Sequence, residues 1–180
     1  NEVHKAAELY VRDGVPLPEK FNMFQSILDK VKQIPGDIYC EHKIGLTIDL
    51  EPTGFFDDNV WWRGVLDLLI IDKDKQLATV IDYKTGKSSQ YADTRQLSLM
   101  GVGVFKHFPE VENIKSALMF LVSKELIKED YNVKKVDEMF EEWGKMIHRI
   151  DTAYSTNVFN AVPNFGCRWC PVASCAHNGK

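Results

Sequence analysis

Two carboxylates stand where carboxylates are costly. Asp67 lies inside Gly64-Val65-Leu66-Asp67-Leu68-Leu69, and Asp82 lies inside Val80-Ile81-Asp82-Tyr83-Lys84; both runs are otherwise apolar and β-favouring. A lone carboxylate buried in such a strand costs on the order of several kcal/mol, so it must be paired or hold a cation. The two-residue period of a strand puts Asp82 and Lys84 on one face and turns Tyr83 to the other, leaving the Tyr83 backbone carbonyl available as a ligand. Hard oxygen donors with positions left for water suit Mg²⁺ or Mn²⁺. Such an ion, bridging a phosphate, activates the attacking water and neutralises the charge that builds on the phosphate. Lys84 beside it would orient that water or stabilise the developing charge. Taken alone, Asp-x-Lys is more often a surface charge pair, and the case rests on the company it keeps.

Cysteine is the second residue type with chemistry. Three of the four, Cys167, Cys170 and Cys175, crowd into the last fourteen residues. Two thiolates separated by two residues can bind one metal centre, and the third follows closely, which makes three ligands rather than four. His177 would complete a zinc-like Cys₃His set; Cys40 is the other candidate, although it reads first as a small buried hydrophobe. The crowding is unlike a disulfide framework and points to a reducing, cytoplasmic compartment.

These residues need elements to position them. Val3 to Arg12 and Glu19 to Gln33 read as amphipathic helices, the second carrying Phe21, Phe24, Ile27, Leu28 and Val31 at helical spacing. Pro35-Gly36-Asp37 turns the chain into a strand from Ile38 to Leu50. Val60 to Asp72 and Leu77 to Tyr83, joined by Lys73-Asp74-Lys75, read as an antiparallel hairpin. A helix from Tyr91 to Phe108, a buried strand from Ile114 to Val122 and a long amphipathic helix from Val133 to Ser155 follow. The order α, α, β, β, β, α, β, α predicts an α/β fold, one domain over residues 1–180 with the cysteine-rich tail at 165–180 inside it. A helix that begins without a cap at a first residue that is not Met is expected to follow a missing native start.

Bulk properties agree. A chain of 180 residues, 44% apolar, fits one compact domain. No stretch approaches the roughly 20 apolar residues of a membrane span, and no secretion signal leads the chain. A net charge of −4 argues against a coat of basic residues for nucleic acid, but not against an enzyme that concentrates positive charge in one cleft.

The run Gly64-Val65-Leu66-Asp67, then Val80-Ile81-Asp82-Tyr83-Lys84-Thr85-Gly86-Lys87, then Gln96 resembles the RecB-like branch of the PD-(D/E)XK nucleases. The resemblance implies a restriction-endonuclease-like core, a central mixed sheet flanked by helices, with Asp67, Asp82, Lys84 and Gln96 around a metal and the scissile phosphate. Met100 stands where the family usually has a Tyr one turn after the Gln. Val3-His4-Lys5-Ala6-Ala7-Glu8 resembles the family's His-x-x-x-Glu helix, which makes His4 a metal ligand beside Asp67, Asp82 and the Tyr83 carbonyl. Glu41 is open between a supporting carboxylate and a solvated charge.

The tail is similar to the cysteine cluster of CRISPR-associated, phage and helicase-linked exonucleases. It implies a [4Fe-4S] cluster, or Zn²⁺ in its place, on Cys167, Cys170 and Cys175, fastening the tail structurally. Together these imply an Mg²⁺- or Mn²⁺-dependent deoxyribonuclease, an exonuclease acting on single- or double-stranded DNA with recombination or repair partners in a bacterial cell or phage-infected host. The contrasting expectation is a non-catalytic nucleic-acid-binding or zinc-stabilised interaction module.

Overall fold

The computed structural model describes residues 2–86, 88–90 and 92–179, so Lys87 of the Thr-Gly-Lys run and Tyr91 at the expected start of the third helix lie outside the described residues. The chain falls into two compact units, Asn1–Glu141 and Glu142–Lys180.

The first unit is built on a six-stranded sheet in the order β2-β1-β3-β4-β5-β6. Its strands are β1 (Asp37–Leu46), β2 (Pro52–Thr53), β3 (Trp62–Asp72), β4 (Leu77–Lys84), β5 (Asn113–Phe120) and β6 (Glu125–Asn132). All neighbours are antiparallel except β4 and β5, which run parallel. A parallel pair needs a crossover, supplied by α3 (Arg95–His107). The central strands are apolar on both faces because both are covered. Leu68, Ile70, Ile81 and Tyr83 pack against α1 (Glu2–Asp13) and α2 (Gln25–Lys32). On the other face, Leu66, Leu69, Ile71 and Val80 pack with Val102, Val104 and Phe105 of α3. This is the mixed sheet flanked by helices that the sequence leads one to expect.

Three departures have local causes. The second helix is divided: Glu19–Phe24 coils as a 3₁₀ turn before α2 begins, with Phe21 N–H donating to the Pro18 carbonyl at 2.7 Å. Three residues per turn bring Phe21 and Phe24 to one side, where their rings stack at 6.1 Å. Strand β1 stops at Leu46 because the chain reverses at Thr47–Leu50, with Leu50 at φ +60°, and the two residues of β2 return along it. Strand β6, absent from the expected order, is an edge strand of sequence ELIKEDYN. Ile127 and Tyr131 pack inward, and four of the other six residues are charged, which masks the strand signal.

The second unit holds most of α4 (Val136–Thr156) and the tail. Among the described residues no helix is long and apolar enough to cross a membrane.

Gly36, just before β1, sits at φ +133°, and a Cβ there would lie 2.5 Å from the Ile71 carbonyl oxygen. Gly36→Ala is therefore expected to cost about 1–3 kcal/mol, each kcal/mol lowering Tm by roughly 2–4 °C. Gly144→Ala, with nothing within 4 Å of its Cβ inside α4, should leave Tm level or raise it. A thermal melt of both variants checks this, and an unchanged Tm for Gly36→Ala contradicts it.

Candidate active site and metal centre

Pairing of β3 with β4 ends at Leu68 and Ile81. The next residues along each strand, Asp67 and Asp82, stand where the strands part. Asp67 Oδ2 accepts a 2.7 Å hydrogen bond from Tyr83 N–H, so a side chain takes over where the ladder stops. Its Oδ1 lies 3.6 Å from His4 Nδ1. The side chain is only 14% exposed. Burial, opposed by the Tyr83 hydrogen bond and reinforced by the charge of Asp82, raises the Asp67 pKa above its ordinary value.

His4 reaches this point because Ala7, Glu8 and Val11, three, four and seven residues on, form the buried stripe of α1. Glu8, buried, is ion-paired to Lys5 at 2.8 Å and to Arg12. The His4 ring stands edge-on to the Tyr83 ring, centroids 6.2 Å apart, and Tyr83 is fixed in the core beneath it.

Glu41 completes the group. On β1, Cys40 pairs with Leu68 and His42 with Leu66, so Glu41 stands opposite Asp67. It adopts φ +50°, a left-handed conformation uncommon for a residue with a Cβ. The strand changes phase there: Ile38 and Cys40 pack on the α1/α2 face, whereas Ile44 and Leu46 pack on the α3 face. This turn of the backbone brings one ligand atom each from His4, Glu41 and Asp67 within 4.8 Å of one another. The sequence left Glu41 open; a left-handed residue inside a strand has no spacing signal by which to be recognised.

Asp82 is not in that group. It points to the α3 face, where Lys84 Nζ approaches its Oδ2 at 2.7 Å. The contact is an ion pair by distance but is off-line for a hydrogen bond, and this buried oxygen has no hydrogen-bond partner. Lys84 Nζ also donates to Gln96 Oε1 of α3 at 3.4 Å. Lys84 and Gln96 line an open cavity with Gly86, Ser88, Asp93 and Phe120. Met100, one turn beyond Gln96, packs against the core. The expected residues therefore gather at the parting of β3 and β4 in two sets: His4, Glu41 and Asp67, and Asp82 with Lys84 and Gln96.

In the second unit, Cys167, Cys170 and Cys175 are free thiols on consecutive tight turns. Asn164 N–H donates to Cys167 Sγ at 3.5 Å, and Gly179 N–H closes the tail onto the Cys167 carbonyl at 2.9 Å. Among the described residues the three sulfurs do not converge as a ligand group, with or without His177. Cys40, in the first unit, packs into the core on the α1/α2 face, where burial pushes its thiol up to about 11.

No curated protein matches the chain. Among solved structures, that described as "Crystal structure of SSO0001" is similar, at 12% identity over 97% of this chain and 76% of the other, with a TM-score of 0.40. A family model for the PD-(D/E)XK nuclease superfamily matches residues 17–175, a span holding Glu41, Asp67, Asp82, Lys84 and Gln96. The match covers most of the sequence and the whole sheet, and the chain belongs to the PD-(D/E)XK nuclease superfamily.

Proposed function

We propose that this chain is a divalent-metal-dependent deoxyribonuclease of the RecB-like branch, an exonuclease that hydrolyses phosphodiester bonds. The observation that carries the reading is the convergence of His4, Glu41 and Asp67 at the parting of the strands, where the charge of Asp82, the ion-pair partner of Lys84, reaches Asp67. Two carboxylates and an imidazole form a donor set that fits Mg²⁺ or Mn²⁺. The buried Asp82 oxygen without an aligned donor is a further group that a cation would satisfy. His4, Glu41 and Asp67 would hold the ion, with Asp82 and the Tyr83 carbonyl as additional donors. When bound, the ion lowers the pKa of water and neutralises charge on the phosphate.

The chain's own residues do the positioning. Tyr83 fixes Asp67 through its N–H and His4 through its ring. Asp82 and Gln96 hold the Lys84 ammonium from two sides, at the edge of a cavity open to a phosphate. There it would stabilise negative charge as the phosphate is attacked. The small exposure of Asp67 speaks against an interaction module whose strand carboxylates are merely solvated.

The tail cysteines are read as ligands of a structural [4Fe-4S] cluster or Zn²⁺, supported by free thiols on tight turns and an amide aimed at Cys167 Sγ. Three thiols that do not converge fit such a centre only in part, and no step of the hydrolysis passes through it. Recombination or repair proteins are the partners this reading implies.

End-labelled single- and double-stranded DNA incubated with Mg²⁺, Mn²⁺ or EDTA tests the proposal. Cutting is expected only with metal and is expected to fall by roughly 100-fold or more in Lys84→Ala and Asp82→Ala. Intact, folded protein that cuts nothing, or variants that cut as well as the wild type, would favour a binding module instead.

Asp67 also gives a stability prediction. Its folded pKa is raised, so its ionised form opposes folding above that value, and the effect vanishes as pH falls below the unfolded value of about 3.9. Asn can still accept from Tyr83 N–H. Metal-free Asp67→Asn should therefore melt above the wild type at neutral pH, by roughly 2–4 °C per kcal/mol relieved, with the gap closing near pH 4. Calorimetry across pH decides it; a variant that melts lower at pH 7 refutes the assignment of Asp67 as a charge held at a cost.

A further inference from the structure

Beyond Glu41, the sheet face that α1 and α2 cover elsewhere carries a different surface. Past the phase change, Ile44, Leu46, Trp62 and Leu66 take the α3 face, so Lys43 on β1 and Arg63 and Val65 on β3 take the same face as Glu41 and Asp67. Lys43 and Arg63 are both exposed, and neither has an acidic partner at ion-pair distance among the described residues. Two unneutralised cations side by side are notable in a chain with 26 acidic and 22 basic residues.

A built loop lays two aromatic rings over them. Gly45 has no side chain on this face, and a Cβ there would come within 3.0 Å of the Thr53 and Gly54 carbonyl oxygens, so the strand lets the loop after β2 cross closely. Asp57 Oδ2 fastens that loop by accepting from Gly54 N–H at 2.7 Å and from the Thr53 hydroxyl at 2.9 Å. The Phe55 and Phe56 rings meet edge to face at 4.9 Å, and Phe56 is 73% exposed. Lys43 Nζ lies 5.5 and 5.4 Å from the two ring centroids, and the Arg63 guanidinium 5.8 and 5.9 Å. A ring left this open on a hydrogen-bonded loop buries little apolar area and adds little to the core. Between two cations it is a stacking surface beside two phosphate ligands.

We propose that Lys43, Arg63, Phe55 and Phe56 form a track for an unpaired nucleic-acid strand that leads to the His4, Glu41 and Asp67 group, with the cations on phosphates and a base on Phe56. At about 3.3 Å per residue along a strand, Lys43 stands about 7 Å from Glu41, and Arg63 about 13 Å from Asp67, in line with the site. The track deepens the nuclease reading by naming its substrate as single-stranded at the point of entry. A duplex keeps its bases stacked inside and offers no free ring to Phe56.

Fluorescence anisotropy in EDTA, where nothing is cut, tests binding apart from cleavage. The probes are fluorescein-labelled 12-nucleotide oligothymidylate, a 12-base-pair duplex and a polyglutamate peptide. Oligothymidylate should bind tightest. Phe56→Ala and Phe56→Leu should each raise its Kd roughly 5- to 100-fold, reflecting one lost stacking contact. The double variant Lys43→Gln/Arg63→Gln should reduce the slope of log K against log salt by about 1.4, two phosphate contacts at about 0.7 each. Thermal melts should stay level, since all three side chains are exposed. Unchanged affinity and salt slope in these variants, or preferred binding of the duplex or the peptide, would overturn the track. Cleavage with Mn²⁺ separates the two readings: cutting with Phe56-independent binding defeats the track alone, and Phe56-dependent binding without cutting defeats the nuclease reading alone.

Discussion

The site depends on one hydrogen bond, from Tyr83 N–H to Asp67 Oδ2, made where β3 and β4 cease to pair. Two strands that part inside a sheet leave amide and carbonyl groups without ladder partners, and buried backbone groups do not stay unpaired. A carboxylate at Asp67 answers one of them and is itself fixed by doing so. The bond orients Asp67 so that its second oxygen faces His4, and it holds the end of β4 so that Asp82 and Lys84 emerge together on the opposite face.

The rest of the first unit packs around that gap, which Glu41 leaves open to solvent. Leu68, Ile70, Ile81 and Tyr83 close one face under α1 and α2, and Leu66, Leu69 and Val80 close the other under α3. Burial distinguishes Asp67 and Asp82, 14% and 13% exposed, from the exposed Glu41. It lifts the Asp67 pKa and leaves an Asp82 oxygen without an aligned donor. Glu41 reaches the same point only through a left-handed residue in mid-strand, and the matching phase changes of β1 there and of β3 at Asp67 turn Lys43 and Arg63 to one face.

What could be read from the sequence follows from which signals are local. Asp67, Asp82 and Lys84 were legible because charges inside apolar strands violate the pattern around them, and the hairpin carrying them was legible through its β-branched runs and polar turn. The helices on either side declared themselves by spacing. Strand β6 was not legible, since an edge strand needs only Ile127 and Tyr131 to be apolar. The two-residue β2 was too short to leave a period. The role of Glu41 depends on register and a positive φ, both tertiary properties. Asp82 was grouped by sequence with Asp67, yet the strand period sends it to Lys84 and the α3 face. Phe55 and Phe56 were not legible, because their setting comes from the cations brought beneath them by pairing across the sheet.

His4, Glu41 and Asp67 are proposed to bind a divalent cation together. Titration with Mn²⁺ followed by electron paramagnetic resonance tests it directly, because an imidazole ligand imprints nitrogen coupling on the metal signal. A bound Mn²⁺ with nitrogen coupling is expected in the wild-type chain, with loss of that coupling in His4→Gln and weakened binding in Asp67→Asn. Failure to bind Mn²⁺, or nitrogen coupling that survives His4→Gln, would contradict it.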